Sequence, residues 1–198
     1  MNTPTITLTA AAATALRDAL ADAGDVVRIE ISPALEHDLS VGPPEHDDLR
    51  LEIDGVRFAI AASSVVRANG LTIDFLTTAS GAGFKIDNPN PVIRVQPLTT
   101  LALSKWLEEK REFHMLDVRT SEERAIASIA GSILFDASEE GRMRTLPRDT
   151  TLVFQCHHGV RSRAAADYFV GLGFVNVFNL EGGIDAWSRD IDPSVARY

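Results

Sequence analysis

The chain has 198 residues, 45% hydrophobic and 24% charged, with a formal charge of −9 at pH 7. That composition is ordinary for a globular protein, and the acidic excess excludes general binding to nucleic acid or to an anionic membrane surface. One cysteine, Cys156, excludes an internal disulfide framework and any all-cysteine metal site.

The length suits one large domain or two small ones. At the amino terminus, Met1-Asn-Thr-Pro-Thr5 carries no basic segment ahead of an alanine-rich run, and no apolar stretch reaches membrane-spanning length. The expectation is a cytoplasmic protein with no membrane partner. Thr9 is placed to cap a helix through Leu16 and Leu20, two leucines one turn apart, with Gly24 as its stop. Beyond it come short alternating runs: Val26 to Ile31, Leu49 to Ile53, Val56 to Ile60 and Leu71 to Phe75. Asp54-Gly55 between two of them is a hairpin signal. This pattern predicts a helix on a small, mainly β (α+β) domain. The stretch between Ser32 and Asp48, with Pro33, Pro43 and Pro44, predicts an irregular polar loop. Its His37 and His46 have no carboxylate or cysteine at a metal-ligand spacing and are expected to face solvent.

A linker is predicted around Pro91 to Leu98, bracketed by Pro91 and Pro97, which divides the chain into domains over 1–93 and 94–198. Thr99 or Thr100 then opens a helix whose Leu101, Trp106 and Leu107 are expected to pack inward. Strands at His114 to Val118, Ile133 to Phe135, Leu152 to Gln155 and Val175 to Phe178 alternate with helices near Glu139 to Leu146, after Ser162, and near Ile184 to Ser188. Such alternation implies an α/β domain, a parallel sheet flanked by helices, with ligands outside the carboxyl ends of its strands.

Cys156 occupies such an end. It follows the apolar run Leu152-Val-Phe154 and opens a short loop, His157, His158, Gly159, Val160, Arg161, into a helix that Ser162 can cap. Backbone N–H groups in such a loop point toward the sulfur, and the helix dipole adds partial positive charge. Gly159 permits a tight turn, and Arg161 supplies a fixed charge. All of these favour the thiolate, the nucleophilic form, and lower its pKa from the usual ~8.5. A lone cysteine is otherwise most often a small buried hydrophobe. The strand end, glycine loop, arginine and helix start together outweigh that plain alternative. Of the adjacent histidines, one is expected to face the pocket and one solvent. Asp117 and Arg119 are read as structural residues. Arg142, Arg144, Arg148, Arg161 and Arg163 form a local positive excess that suits an anionic donor, and a solvated strip explains Arg142 to Arg148 equally well.

The four residues between Cys156 and Arg161 make the loop one residue shorter than a pocket resembling the tyrosine phosphatases would need. The tighter ring resembles the rhodanese family. Met115-Leu-Asp-Val-Arg119 ahead of Ser121-Glu122, Ile129-Ala-Gly-Ser132, Gly173-Phe-Val-Asn-Val177 and Leu180-Glu-Gly-Gly-Ile-Asp-Ala-Trp187 agree with it over roughly the last hundred residues. Ser128 departs from it, standing where the family usually has histidine. The resemblance implies a sulfurtransferase that carries sulfur as a Cys156 persulfide. It takes sulfur from a small anionic donor such as thiosulfate and gives it to a thiol or cyanide acceptor, with the loop residues His157 to Ser162 binding the substrate and persulfide and with no cofactor and no metal. The earlier stretches Gly70-Leu-Thr-Ile-Asp-Phe75 and Gly83-Phe-Lys-Ile-Asp-Asn-Pro-Asn90 resemble the A-type iron–sulfur carriers, the HesB and IscA-like proteins, over about residues 5 to 92. That family holds its cluster through cysteines in a glycine-rich segment and a Cys-Gly-Cys-Gly tail. Here the corresponding segments read Ser32-Pro-Ala-Leu-Glu-His37 and Pro91-Val-Ile-Arg-Val-Gln-Pro97. The resemblance therefore implies the carrier fold without its ligands. An adaptor that docks on sulfur or iron–sulfur assembly proteins is the alternative function, and a residual carrier bridged by one Cys156 per chain is geometrically unfavourable.

Overall fold

The computed structural model describes residues 3–79 and 81–198; Met1 and Asn2, at the start of the expected first domain, lie outside the described residues. The chain divides into two compact units, Met1–Ile93 and Arg94–Tyr198.

Among its described residues, the first unit is built on two sheets, one α-helix and a short 3-10 turn at Val66–Ala68. Strand β1 (Ile6–Leu8) leads into helix α1 (Ala10–Ala19), whose N-cap Thr9 accepts from the Ala12 N–H at 3.2 Å. The Thr9 hydroxyl donates to Asp74 Oδ1 at 2.6 Å, so the cap also ties α1 to strand β6 (Leu71–Thr78). Gly24 does not stop the helix; the C-cap is Leu20. Strands β2 (Val26–Ile31), β3 (His37–Gly42), β4 (Leu49–Ile53) and β5 (Val56–Ile60) form a sheet ordered β3-β2-β5-β4. Asp54 and Gly55 both take positive φ, 49° and 74°, and close the β4–β5 hairpin. The second sheet is β1-β6-β7, with β7 at Gly81–Asp87. Ala12, Ala13 and Leu16 of α1 meet Ile29, Phe58, Ile60, Leu71 and Ile73 in one core.

Two expectations change here. The region read as an irregular loop contains β3, paired antiparallel with β2 from Val26↔Gly42 to Ile31↔His37. His37 is not a solvent residue: it is half-buried, its Nε2 lies 3.0 Å from Asn88 Nδ2, and burial lowers its pKa. His46 is exposed, as expected.

The second unit is a five-stranded parallel sheet in the order β10-β9-β11-β12-β8. Its strands are β8 (Gln96–Leu98), β9 (His114–Asp117), β10 (Ile133–Leu134), β11 (Leu152–Gln155) and β12 (Val177–Leu180). Between them run α2 (Thr100–Glu108), α3 (Ser121–Ile126), α4 (Ala137–Arg144), α5 (Val160–Gly171) and α6 (Gly183–Asp190). Alternate residues of β11 face opposite layers. Val153 joins Leu103, Met115, Leu180, Ile184 and Trp187, while Phe154 meets Phe135 and Phe169 at centroid distances of 5.7 and 5.2 Å. The end of the expected linker is itself an edge strand, β8, a place where Pro97 is tolerated because its missing N–H falls outside the ladder. Leu101 faces solvent at 72% exposure, and Leu103 takes the core position expected of it. No helix among the described residues is long and apolar enough to cross a membrane.

Candidate active site

Cys156 directly follows β11 and is 1% exposed. The Gly159 N–H donates to its Sγ at 3.1 Å, and Ser162 Oγ lies 3.4 Å from the sulfur. Burial pushes the Cys156 thiol up, but the hydrogen bonds that the Ser162 hydroxyl and the backbone N–H groups of Ser162, Gly159 and His158 can make to the thiolate outweigh it, leaving the thiol below its ordinary pKa. Gly159, not Ser162, is the N-cap of α5; Ser162 sits within the first turn, where its side chain is free to reach the sulfur. Gly159 has φ 92°, and a Cβ there would lie 3.0 Å from the Leu180 carbonyl oxygen, so the position needs glycine twice over.

The other side of the loop is fixed by α6. The Ile184 N–H donates to the Cys156 carbonyl at 2.9 Å and the Asp185 N–H to the His157 carbonyl at 3.2 Å. These are otherwise unpaired donors at a helix start, and they hold the loop carbonyls on the α6 side. The loop N–H groups are thereby left for the sulfur. Gly182 and Gly183 make the approach feasible, with φ of 69° and 58°; a Cβ on Gly183 would stand 2.3 Å from the Cys156 carbonyl oxygen. The sequence motif Leu180-Glu-Gly-Gly is thus the mount of the cysteine loop.

Arg161 does not aim at the sulfur. Its fork grips Glu123 of α3 in a bidentate pair at 2.7 and 2.6 Å. Arg161 holds the Glu123 carboxyl far below its usual range, at about 2, and the arginine's own pKa is raised. Glu123 also closes the capping box of α3 with Thr120. The other arginines of the expected positive excess are likewise paired: Arg142 with Glu139, Arg144 with Glu140 and Arg163 with Asp167. Arg148 lies over the Phe174 ring at 4.7 Å. No free cationic strip remains among these residues. Asp117 and Arg119 are structural, as read from the sequence: both are buried, paired at 2.6 Å, with Arg119 also holding the Ala127 carbonyl.

Of the two histidines, one expected to face the pocket and one solvent, His158 is the exposed one. The His157 and His158 rings stack on each other at 4.1 Å, His157 half-buried and His158 exposed. Burial and the neighbouring His158 lower the His157 pKa. The Tyr198 ring lies on the far face of His157 at 4.3 Å, and its hydroxyl accepts from Arg119 at 2.8 Å. His157, His158 and Asp185 bring potential ligand atoms within 4.8 Å of one another. The two imidazoles are only 26° from parallel, so their in-plane lone pairs do not converge, and Arg197 holds Asp185 at 2.9 Å. Val160 is exposed at the mouth of the loop. Three site residues lie outside the sequence reading: Glu123, Asn179 and Tyr198. Each reaches the loop only through the tertiary fold; the capping box around Thr120 was the one local sign of Glu123.

The model of the rhodanese-like domain matches residues 99–190, which include the whole loop. The putative sulfurtransferase YtwF of Bacillus subtilis is 34% identical, over 51% of this chain and 98% of its own length. The chain belongs to the rhodanese-like family. The probable adenylyltransferase/sulfurtransferase MoeZ of Mycobacterium tuberculosis is 32% identical to the rhodanese-like chain over 59% of it, yet the chain spans only 30% of that relative's length. For the amino-terminal half, a similar solved structure is Escherichia coli SufA, described as involved in biosynthesis of iron–sulfur clusters. It is 28% identical with a TM-score of 0.41, covering 46% of the rhodanese-like chain and 92% of that one.

Proposed function

We propose that the protein is a sulfurtransferase that passes sulfane sulfur through a persulfide on Cys156. The observation that carries this reading is a sole cysteine, buried at a strand end, with a backbone N–H 3.1 Å from its sulfur and its pKa lowered. The Cys156 thiolate attacks the outer sulfur of thiosulfate; a Cys–S bond forms, the donor's S–S bond breaks, and sulfite leaves with the bonding electron pair. The persulfide's negative charge then rests on the outer sulfur, within reach of the loop N–H groups. Cyanide or a thiolate attacks that sulfur, the persulfide bond breaks, and the thiolate is restored. His157, His158, Gly159, Val160 and Ser162 form the enclosing loop, and Arg161 contributes through its pair with Glu123 rather than by direct contact. Thiosulfate:cyanide turnover tests the reading: Cys156→Ser should reduce thiocyanate formation at least a thousandfold with the fold retained. Residual turnover within a few-fold of the parent would overturn the assignment.

The cysteine content of the first unit favours a second, compatible reading. Domain 1–93 has no thiolate to hold a cluster, so we read it as a degenerate carrier-like domain that docks on sulfur or iron–sulfur assembly proteins, the rhodanese-like unit relaying sulfur to them. Turnover that requires such a protein partner, with free thiosulfate and cyanide inert, would favour the adaptor over the self-sufficient enzyme.

A further inference from the structure

Ser162 carries one hydroxyl proton and has two acceptors. Its Oγ lies 3.4 Å from Cys156 Sγ and 2.6 Å from Asn179 Oδ1. The orientation of the Asn179 amide follows from its other end: the Nδ2 group lies 3.0 Å from the Gly159 carbonyl oxygen, which can only accept. Oδ1 must therefore face Ser162, and an amide oxygen cannot donate. At 2.6 Å the serine must donate to it. In this arrangement the serine offers Cys156 a lone pair, which suits a neutral S–H and opposes a thiolate.

The persulfide cycle presents both situations, and the inference rests on that reading. In the free thiolate the charge is on Sγ, an acceptor strong enough to draw the hydroxyl to itself. In the persulfide the charge has moved to the outer sulfur, Sγ becomes a weak acceptor, and a hydroxyl left facing it would be a buried donor without a good partner. We propose that Asn179 is a positioning residue that takes the Ser162 proton whenever Sγ is uncharged and yields it whenever Sγ is a thiolate, so that the hydroxyl follows the charge through the cycle. The position on β12 suits the task. Val177 and Leu180 anchor the strand in the core on either side of it, and the Gly159 carbonyl is held by the same amide that holds the serine.

Alkylation of the sole cysteine tests this, because the pH dependence of its reaction with iodoacetamide reports the thiolate of Cys156. The charged and titratable groups around the loop are His157, His158, the Arg161–Glu123 pair, Arg119, Asp185 and Tyr198. All are kept in every variant, so they cancel in a double-mutant cycle, as does the loss of the Gly159 contact. Asn179→Ala, with Ser162 present, strands the hydroxyl in the thiol state. The apparent pKa should fall, relative to the same change made in Ser162→Ala, by about half a unit to one unit, the weight of one neutral hydrogen bond. Asn179→Asp keeps an acceptor and strengthens it, so its interaction with Ser162 should have the opposite sign. An interaction indistinguishable from zero for both substitutions, or the same sign for both, would overturn the proposal; if the alanine variant does not fold, the sign of the aspartate cycle alone decides. The titration is independent of sulfur transfer. A correct pair of signs without persulfide formation would sink the sulfurtransferase reading and leave the proton placement standing.

Discussion

Glu123 sets how much of the Arg161 charge Cys156 feels. The two are joined bidentately, so the field of the guanidinium at the sulfur is largely cancelled by the carboxylate. Glu123→Gln should release that charge and lower the apparent pKa of Cys156 in alkylation; an unchanged profile would mean that Arg161 has no electrostatic role there. The same variant has a stability signature. The Glu123 carboxyl is lowered from 4.5 to about 2 in the folded protein, so its contribution is fully present above about pH 4.5 and is lost as pH falls through about 2. The parent should exceed the glutamine variant by about 0.5–1 kcal/mol at pH 7, the range for a partly exposed pair, and the gap should close in acid. Denaturant titrations at a series of pH values read this directly. Cys156 and Gly159 were legible in the sequence because each is defined by its immediate neighbours. Glu123, Asn179 and Tyr198 were not, since they lie 33, 23 and 42 positions from Cys156 and are joined to its loop only by the packing of other elements.

At the scale of elements, the cysteine loop is gripped between the starts of two helices. Alpha-helix α5 supplies N–H groups to the sulfur, and α6 takes the carbonyls of Cys156 and His157. Gly183→Ala puts a Cβ into the Cys156 carbonyl and an L side chain at φ 58°. The strained backbone alone costs about 1–3 kcal/mol, and relief of the clash must move the loop. The expected outcome is a lower melting temperature together with a loss of alkylation and transfer rates beyond what reduced folding explains. Gly171→Ala is the control, since a Cβ there meets nothing within 4 Å. It should be neutral or stabilise by about 0.5–1 kcal/mol, with activity unchanged. Elements defined by apolar runs, such as β11 and α5, could be read in advance. Strand β3 could not: it is an edge strand whose His37, Leu39 and Val41 are only half-buried or exposed, so alternation is faint, and prolines flank it. Helix α3 has six residues and none buried, leaving its capping box as the sole sign.

At the scale of the whole molecule, every residue assigned to sulfur chemistry belongs to Arg94–Tyr198. A chain beginning at Arg94, which retains edge strand β8, should fold and keep most of its turnover with free thiosulfate and cyanide. Collapse of activity in a folded truncation would mean that residues 1–93 complete the active site. Anaerobic incubation of the full chain with iron and sulfide should give no stoichiometric cluster absorbance, because a cluster needs several soft donors and the chain offers one thiolate, outside the first unit. A well-defined cluster would instead require ligands such as histidine from the first unit. The two-part organisation was legible from the change of pattern, mixed short strands before Pro91 and alternating strands and helices after Thr99. Edge strand β8 was obscured because it lies inside the proline-bracketed stretch read as a linker.

The persulfide itself is the central claim, and intact mass measurement reaches it most directly. Protein treated with thiosulfate and desalted should gain the mass of one sulfur atom. Cyanide should remove it with formation of thiocyanate, and Cys156→Ser should never acquire it. No gain in the folded parent, or an equal gain in the serine variant, would contradict the account.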